Sequence, residues 1–110
     1  MAIDIKSLLI KAGYDEKNIV QTKFIKPPGG DYAVWHDEQT AEGGDDFVRL
    51  IRHKYTIELY NRTNGRNLET KVDRLLLLED VEFKKPEKVW LEDERIYLTQ
   101  YQFTTLEKVR

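Results

Sequence analysis

Two stretches of this chain alternate between unlike side chains at every second residue, and they limit the fold more than any other feature. In residues 94–107, one set of alternate positions holds Tyr97, Thr99, Tyr101, Phe103 and Thr105, and the other holds Ile96, Leu98, Gln100, Gln102, Thr104 and Leu106. In the later part of residues 47–60, Ile51, His53, Tyr55, Ile57 and Leu59 alternate with more polar neighbours. A period of two predicts extended strands with one face toward a core. We therefore expect a sheet built on two long strands.

Two other segments have the spacing of amphipathic helices, which can cover such a sheet. The first carries Ile5, Leu8, Leu9 and Ala12, and the second carries Leu68, Val72, Leu75 and Leu76. Asp4 is placed to cap the first helix and Gly13 to end it, while Asn67 is placed to cap the second. Leu77 and Leu78 extend the apolar surface of the second helix beyond one stripe. We expect that helix to be covered on more than one side, either by the sheet or by a neighbouring chain.

Shorter strands and one long loop complete the pattern. Ile19, Val20, Phe24 and Ile25 form an apolar island that predicts an edge strand, ended by Pro27, Pro28, Gly29 and Gly30. Aromatic and β-branched residues predict a strand over Tyr32–Asp37 and a shorter one over Val81–Lys84. Between the strands at 32–37 and 47–60, the acidic, glycine-bearing segment Glu38–Asp46 is predicted to be an exposed hairpin loop.

The order of these elements predicts an α+β fold in a single domain spanning residues 1–110. The sheet is expected to be mostly antiparallel, with two helices packed on one face, in the order α-β-β-α-β(β). A chain of 110 residues is long enough for one hydrophobic core and too short for two.

Composition narrows the class of protein. Lys and Arg number 18 against 20 Asp and Glu, and the net charge of −2 lacks the basic excess of an autonomous nucleic-acid-binding domain. The absence of cysteine excludes disulfides and thiolate chemistry and fits a reducing compartment. No segment has the length and apolar character of a signal peptide or membrane span, so we expect a soluble intracellular product with no membrane partner.

A search for catalytic or metal-binding groups finds no set that needs a chemical explanation. His36 and His53 are the two histidines, and strand pairing could bring them near each other and near Asp37, but a convincing zinc ligand set is missing. Paired carboxylates occur at Asp45-Asp46, Glu79-Asp80 and Glu92-Asp93-Glu94, where solvated turns explain them. Ser7 fits a helix terminus better than a nucleophile. We predict no catalytic residue, no metal site and no cofactor.

The strand predicted over residues 47–60 carries a run of basic and aromatic side chains. Arg49, Arg52 and Lys54 stand close to His53 and Tyr55, an arrangement that can contact phosphates and bases. An ordinary polar outer face explains the same residues. In a symmetric ring, however, a modest basic patch is repeated in every copy, so these three residues are candidates for lining a lumen.

Several of these segments together resemble small structural proteins from the head-to-tail region of long-tailed bacteriophages and prophages. The likeness is carried by Tyr32–Asp37, the acidic loop, Arg52–Tyr60, the Leu-rich helix and Trp90–Tyr101, and it spans the chain from Tyr32 to the C-terminus. The sequence is most similar to tail terminator or tail-to-head joining proteins. That resemblance implies a tail-terminator-like fold and a non-enzymatic virion protein, made in the host cytoplasm and located in the tail at the head–tail junction.

The same resemblance implies the partners. A subunit of this kind assembles with itself into a ring, expected to be a hexamer, which caps the tail tube and joins it to the head connector or completion protein. DNA would meet the protein only by passing through the ring. Candidate contact residues for subunits or partners are those of the predicted loop, namely Glu38, Glu42, Gly43, Gly44, Asp45 and Asp46. The alternative hypothesis is a small intracellular binding or regulatory module that holds a protein through a sheet edge or residues 38–46. A third is an enzyme with His36, His53 and Asp37 in a pocket.

Overall fold

The computed structural model describes residues 3–44, 47–63 and 66–109 of the chain. Two α-helices are present, α1 (Ile5–Ala12) and α2 (Arg66–Leu78), with a short 3-10 helix over Glu16–Asn18. The strands are β1 (Ile19–Gln21), β2 (Tyr32–Gly44), β3 (Phe47–Asn61), β4 (Phe83–Lys84), β5 (Val89–Leu91) and β6 (Ile96–Lys108). The long strands predicted from the alternating stretches are therefore β3 and β6.

The strands form one sheet in the order β1-β2-β3-β6-β4, and β5 also pairs with β6. β1 runs parallel to β2, whereas β2 with β3, and β6 with each of β3, β4 and β5, pair antiparallel. Both helices contribute to one core cluster with residues from one face of the sheet. The predicted α+β class, the mostly antiparallel sheet and the element order are confirmed.

Helix α1 begins and ends where its sequence predicts. The Asp4 carboxylate accepts a hydrogen bond from the Ser7 backbone N–H at 3.0 Å, which satisfies a donor that the first turn leaves free. Gly13 follows the helix with φ of 122°, and its N–H bonds back to the carbonyls of Leu9 and Ile10. A side chain at Gly13 would be strained at that angle, which explains why glycine ends the helix.

The main core lies between the helices and the sheet. Odd-numbered residues of β3 and β6 face it, as the alternation predicts, and Ile57, Leu59 and Tyr101 are fully buried there. Leu9 from α1 and Leu76 from α2 are also fully buried in this cluster. The apolar stripes of the helices and the apolar face of the strands thus pack into one core layer. This packing determines which face of each strand is buried.

A smaller apolar cluster lies on the opposite face of the sheet. Its buried members are Tyr32, Val34 and Ile96, and Phe24 and Leu91 pack against it together with Val20 and Tyr60. The segment after β1 and the strand β5 therefore cover part of the face that the helices leave open. The expected edge strand is confirmed at Ile19 and Val20, but Phe24 and Ile25 lie outside any strand.

The prediction of a loop over Glu38–Asp46 is wrong for the part that the structure describes. Glu38, Glu42, Gly43 and Gly44 lie in β2, which pairs with β3 as far as Gly44 opposite Phe47. A register shift between Glu42 and Gly43 accommodates the glycines. The segment is polar because it is exposed while its backbone is paired. Asp45 and Asp46 lie outside the described residues.

Helix α2 differs from the sequence-based prediction in two ways. It begins at Arg66, so Asn67, the predicted cap, lies inside the helix. Leu77 and Leu78 are 65% and 76% exposed, so the sheet does not wrap this end of the helix. That a neighbouring chain covers these two leucines stays a prediction.

Candidate functional site

Beyond the helix-covered core, the three longest strands continue as a three-stranded extension. We define this arm as residues 37–44 of β2, 50–54 of β3 and 104–108 of β6. In register, Asp37 faces Tyr55 at the base of the arm, and Leu50 faces Lys108 further out. The whole molecule measures 51 × 30 × 24 Å, and strands of this length account for its long axis. None of the residues of the two apolar clusters, as far as the chain is described, comes from the arm.

His53 lies at the base of the arm between two carboxylates. Its Nδ1 is 3.0 Å from both oxygens of Asp37 on β2, and its Nε2 is 2.7 Å from Oε1 of Glu107 on β6. Only 6% of the His53 side chain is exposed. Both ring nitrogens therefore face acceptors, an arrangement that suits an imidazolium donating to each side. One side chain in this way ties together all three strands of the arm.

The charge of this imidazole follows from its surroundings. Burial by itself lowers the pKa of His53, but the hydrogen bonds to Glu107 and Asp37 outweigh burial and raise the pKa above its ordinary value. The ring also stacks on Tyr55 with centroids 5.5 Å apart. We interpret the cluster as a charged structural tie, since each nitrogen of the histidine is already bonded.

The structure separates the two histidines. His36 pairs with Thr56 in register, on the face of the sheet opposite to His53, and its Nε2 lies 3.5 Å from Oε1 of Glu58. The predicted proximity of Asp37 to a histidine is confirmed for His53 alone, and a pocket containing His36, His53 and Asp37 does not form. Within residues 3–44, 47–63 and 66–109, no group of three or more His, Cys, Asp and Glu side chains is arranged to hold a metal ion.

Acidic neighbours balance the basic residues on the outer face of the arm. The Arg52 guanidinium donates through Nε to Oε2 of Glu42 at 2.6 Å, and this bond lowers the pKa of Glu42. Lys54 is directly opposite Glu38 in the β2–β3 register. Of the candidate basic residues, Arg49 has a side chain outside the described part of the chain. Arg52 and Lys54 thus belong to a face of mixed charge, which contrasts with a continuous basic path.

The β2 edge of the arm has no neighbouring strand in the described structure. β1 covers β2 only as far as Trp35, whose carbonyl accepts a hydrogen bond from Thr22 N–H at 2.9 Å. In an antiparallel pair, the N–H and C=O groups of a residue point to the same side, and the side alternates along the strand. The backbone polar groups of Asp37, Gln39 and Ala41 therefore point away from β3, available to another strand.

The β6 edge of the arm is open in the same way. β5 pairs with β6 from Ile96 to Leu98, and β4 pairs at Gln102 and Phe103. From Thr104 onward, the described residues place no strand on that side of β6. The arm thus has two open edges, one along β2 and the other along β6. Sequence reasoning missed that residues 38–44 form a strand of this arm, because an exposed polar strand lacks the alternation that marks a half-buried one.

A second polar cluster links α2 to β6 and to the residue that follows β4. Lys85 Nζ contacts Glu69 and lies 3.1 Å from both carboxylate oxygens of Asp73. Asp73 also accepts a hydrogen bond from the Tyr101 hydroxyl, and burial together with that bond raises the pKa of Tyr101. These groups satisfy one another, so the cluster holds the helix in place.

Among the described residues, no helix is long and apolar enough to cross a membrane.

Comparisons with known proteins find this fold elsewhere without close sequence relatives. No family model matches the chain, and no curated protein matches it. A chain in the virion of a native gene transfer agent particle superposes with a TM-score of 0.60 at 9% identity, covering 97% of this chain and 87% of that one. Another solved protein, identified only by a sequence number, gives a TM-score of 0.55 at 13% identity, covering 93% of this chain and 94% of that one. At these identities the likeness shows a shared fold.

Proposed function

We propose that this protein is a non-enzymatic structural subunit of a phage or prophage virion, located at the head–tail junction. In this role it resembles a tail terminator or tail completion protein. Copies assemble into a ring, a hexamer by the resemblance, that caps the tail tube and joins it to the head connector. Two findings support the proposal: the fold is shared with a chain of a gene transfer agent virion, and the arm has two open edges.

The open edges are the observation that carries the assembly step. β2 and β6 each pair antiparallel with β3, so they run in the same direction and border opposite sides of the arm. When the β2 edge of one copy meets the β6 edge of the next, each copy uses two different surfaces. Such heterologous contacts form rings when the rotation closes. Glu38 and Glu42 then lie at the subunit boundary, in keeping with the role predicted for residues 38–46.

In the proposed ring, the sheet face that carries Arg52 and Lys54 lines the central lumen. DNA passing through the ring would meet alternating charges there, because Glu42 bonds Arg52 and Glu38 lies opposite Lys54. A surface without a strong net charge binds the phosphate backbone weakly. Weak binding suits a duct through which DNA must move.

One substitution tests the edge directly. Ala41→Pro removes a backbone N–H that points away from β3, so it blocks a neighbouring strand without breaking the β2–β3 ladder. Native mass spectrometry and multi-angle light scattering are expected to show a ring for the unmodified protein and monomers for Ala41→Pro. Ala41→Val keeps the N–H and is expected to keep the ring. A protein that is monomeric at every concentration and salt would overturn the ring proposal.

The same β2 edge also favours a second function, a small module that binds a partner protein by strand addition. The outward-pointing groups of Asp37, Gln39 and Ala41 offer a ladder to an extended peptide, the usual basis of such recognition. In that case the unmodified chain stays monomeric in isolation. Ala41→Pro then abolishes capture of the partner while circular dichroism shows an unchanged fold, and Ala41→Val retains capture.

A further inference from the structure

The face of the sheet away from the helices holds an aromatic pocket that the proposed function does not use. The cavity has a volume of about 310 Å³, and its lining includes the rings of Phe24, Tyr32 and Tyr60. Tyr32 and Tyr60 stack with centroids 4.7 Å apart, and Phe24 meets Tyr32 edge-on at 5.6 Å. Ring faces attract cations through their quadrupole, most strongly where water is excluded.

A carboxylate lies among these rings without a lysine or arginine partner. Glu58 lines the pocket, and its side chain is 19% exposed. It accepts hydrogen bonds from the Tyr60 hydroxyl at 3.1 Å and from Gln100 Nε2 at 3.2 Å, and His36 Nε2 lies 3.5 Å away. No lysine or arginine in the described chain forms an ion pair with Glu58. A largely buried carboxylate gains most from a cation that also hydrogen-bonds to it.

The cavity lining itself carries one more acidic than basic side chain. Glu94 also lines the cavity, and Lys23 is the one described cation on its wall, so two carboxylates face one ammonium. Arg62 lies close by, where its guanidinium donates to the neutral backbone carbonyls of Gly29 and Glu94 at 3.0 and 3.2 Å and keeps its positive charge. The lining of the pocket therefore combines aromatic rings with two carboxylates and one ammonium, and the guanidinium of Arg62 lies nearby.

We propose that this pocket binds the guanidinium group of an arginine side chain presented by a partner protein. A guanidinium is planar, stacks on aromatic faces and has five N–H donors, enough to serve both Glu58 and Glu94. An ammonium has three donors and no flat face, so lysine is the weaker ligand. This inference stands on the pocket itself and does not depend on ring assembly.

The test uses the intact protein and a blocked amino acid as probe. N-acetyl-arginine N-methylamide is titrated while the aromatic carbon-bound protons of Phe24, Tyr32 and Tyr60 are followed by NMR. We expect saturable shifts in these three residues, a weaker response to the matching lysine probe, and none to the citrulline probe, which has the shape but lacks the charge. Equal binding of the arginine and citrulline probes, or shifts confined to other residues, would overturn the proposal.

Variants assign the binding to the pocket. Glu58→Gln keeps the side-chain shape and is expected to lower the affinity for the arginine probe about tenfold. Glu87→Gln, an exposed acid outside the cavity, is expected to change nothing. Lys23→Ala removes the competing cation and should tighten binding. An unaltered affinity in Glu58→Gln rejects the assignment, and should that variant fail to fold, Glu94→Gln tests the same charge dependence at the other carboxylate.

Discussion

Gly13 joins helix α1 to the rest of the chain in a backbone conformation that side chains resist. Its φ is 122°, and a Cβ built there would lie 2.9 Å from Cδ2 of Leu68. Gly13→Ala therefore adds both backbone strain and a close contact. We expect the free energy of unfolding to fall by about 1–3 kcal/mol, measured by urea denaturation.

Gly30→Ala is the matched control for that substitution. A Cβ at Gly30 meets nothing within 4 Å, so we expect no loss of stability there. Equal losses at the two glycines would mean that the conformation of Gly13 does not matter.

His53 makes the stability of the arm depend on pH. Its pKa in the folded protein is raised above the ordinary 6.5, because bonds to Glu107 and Asp37 outweigh burial. A raised pKa means that the folded state binds the proton more tightly than the unfolded state does. The stabilisation is fully present below pH 6.5 and is lost as the pH rises through the folded-state pKa.

Melting temperatures recorded across that pH range test the dependence. We expect the unmodified protein to lose stability relative to His53→Gln as the pH rises, and amides of the arm to exchange faster. His36→Gln, on the other face of the sheet, should leave the pH dependence in place. A pH profile that is identical with and without His53 would contradict this account.

At the scale of elements, α2 shows how sharply the sheet selects one side of a helix. Leu76 is fully buried against the sheet, whereas its neighbour Leu77 is 65% exposed. Leu76→Ala leaves a cavity in the main core and is expected to cost about 2–5 kcal/mol of unfolding free energy. For Leu77→Ala we expect a change within about 0.5 kcal/mol. Chemical denaturation of the two variants compares them directly, and similar losses would show that the helix is rotated from its described orientation.

The elements that could be predicted from the sequence are those with one buried face. The α1 stripe and its two ends follow from Asp4 and Gly13, and β6 follows from its alternation, because burial imposes these patterns. The outer half of β2 could not be predicted. It is exposed, so no side-chain pattern marks it, and backbone pairing with β3 alone makes it a strand. The short strand β5 was missed because Val89 and Trp90 are both exposed.

The candidate site was predicted only in part for a related reason. Strand pairing predicts that Asp37 comes near a histidine, but the second partner of His53, Glu107, is far away along the chain and meets it only through the β3–β6 register. His36 and His53 are separated by the faces of the sheet, a distinction that depends on the exact pairing of β2 with β3. One residue of register decides which side chains meet.

As a whole, the molecule is longer than a compact domain of its size. Its radius of gyration is 15.3 Å over Cα atoms, compared with about 13 Å for a compact chain of this length. The arm accounts for the difference, since the helices cover only the other part of the sheet. The buried residues that the structure describes all lie outside 41–51.

Removal of the outer arm should therefore leave a folded protein. Replacing residues 41–51 by Asn-Gly joins Thr40 to Arg52, which face each other in the β2–β3 register, through a two-residue turn. We expect near-ultraviolet circular dichroism to retain its signal, small-angle scattering to give a smaller radius of gyration, and the ring to be lost. Unfolding of the shortened chain would show that the arm supports the core.

The position of β6 in the sheet has a consequence for how the protein is made. β6 follows every other described element along the chain, yet it lies between β3 and β4 and supplies Tyr101 and Phe103 to the main core. While the ribosome is still synthesising residues before Ile96, β3 has no strand beside its edge away from β2. The helices then have no complete sheet to pack on. Folding is thus expected to wait for β6 and then to proceed cooperatively, so that the arm edges form only after β6 has been made.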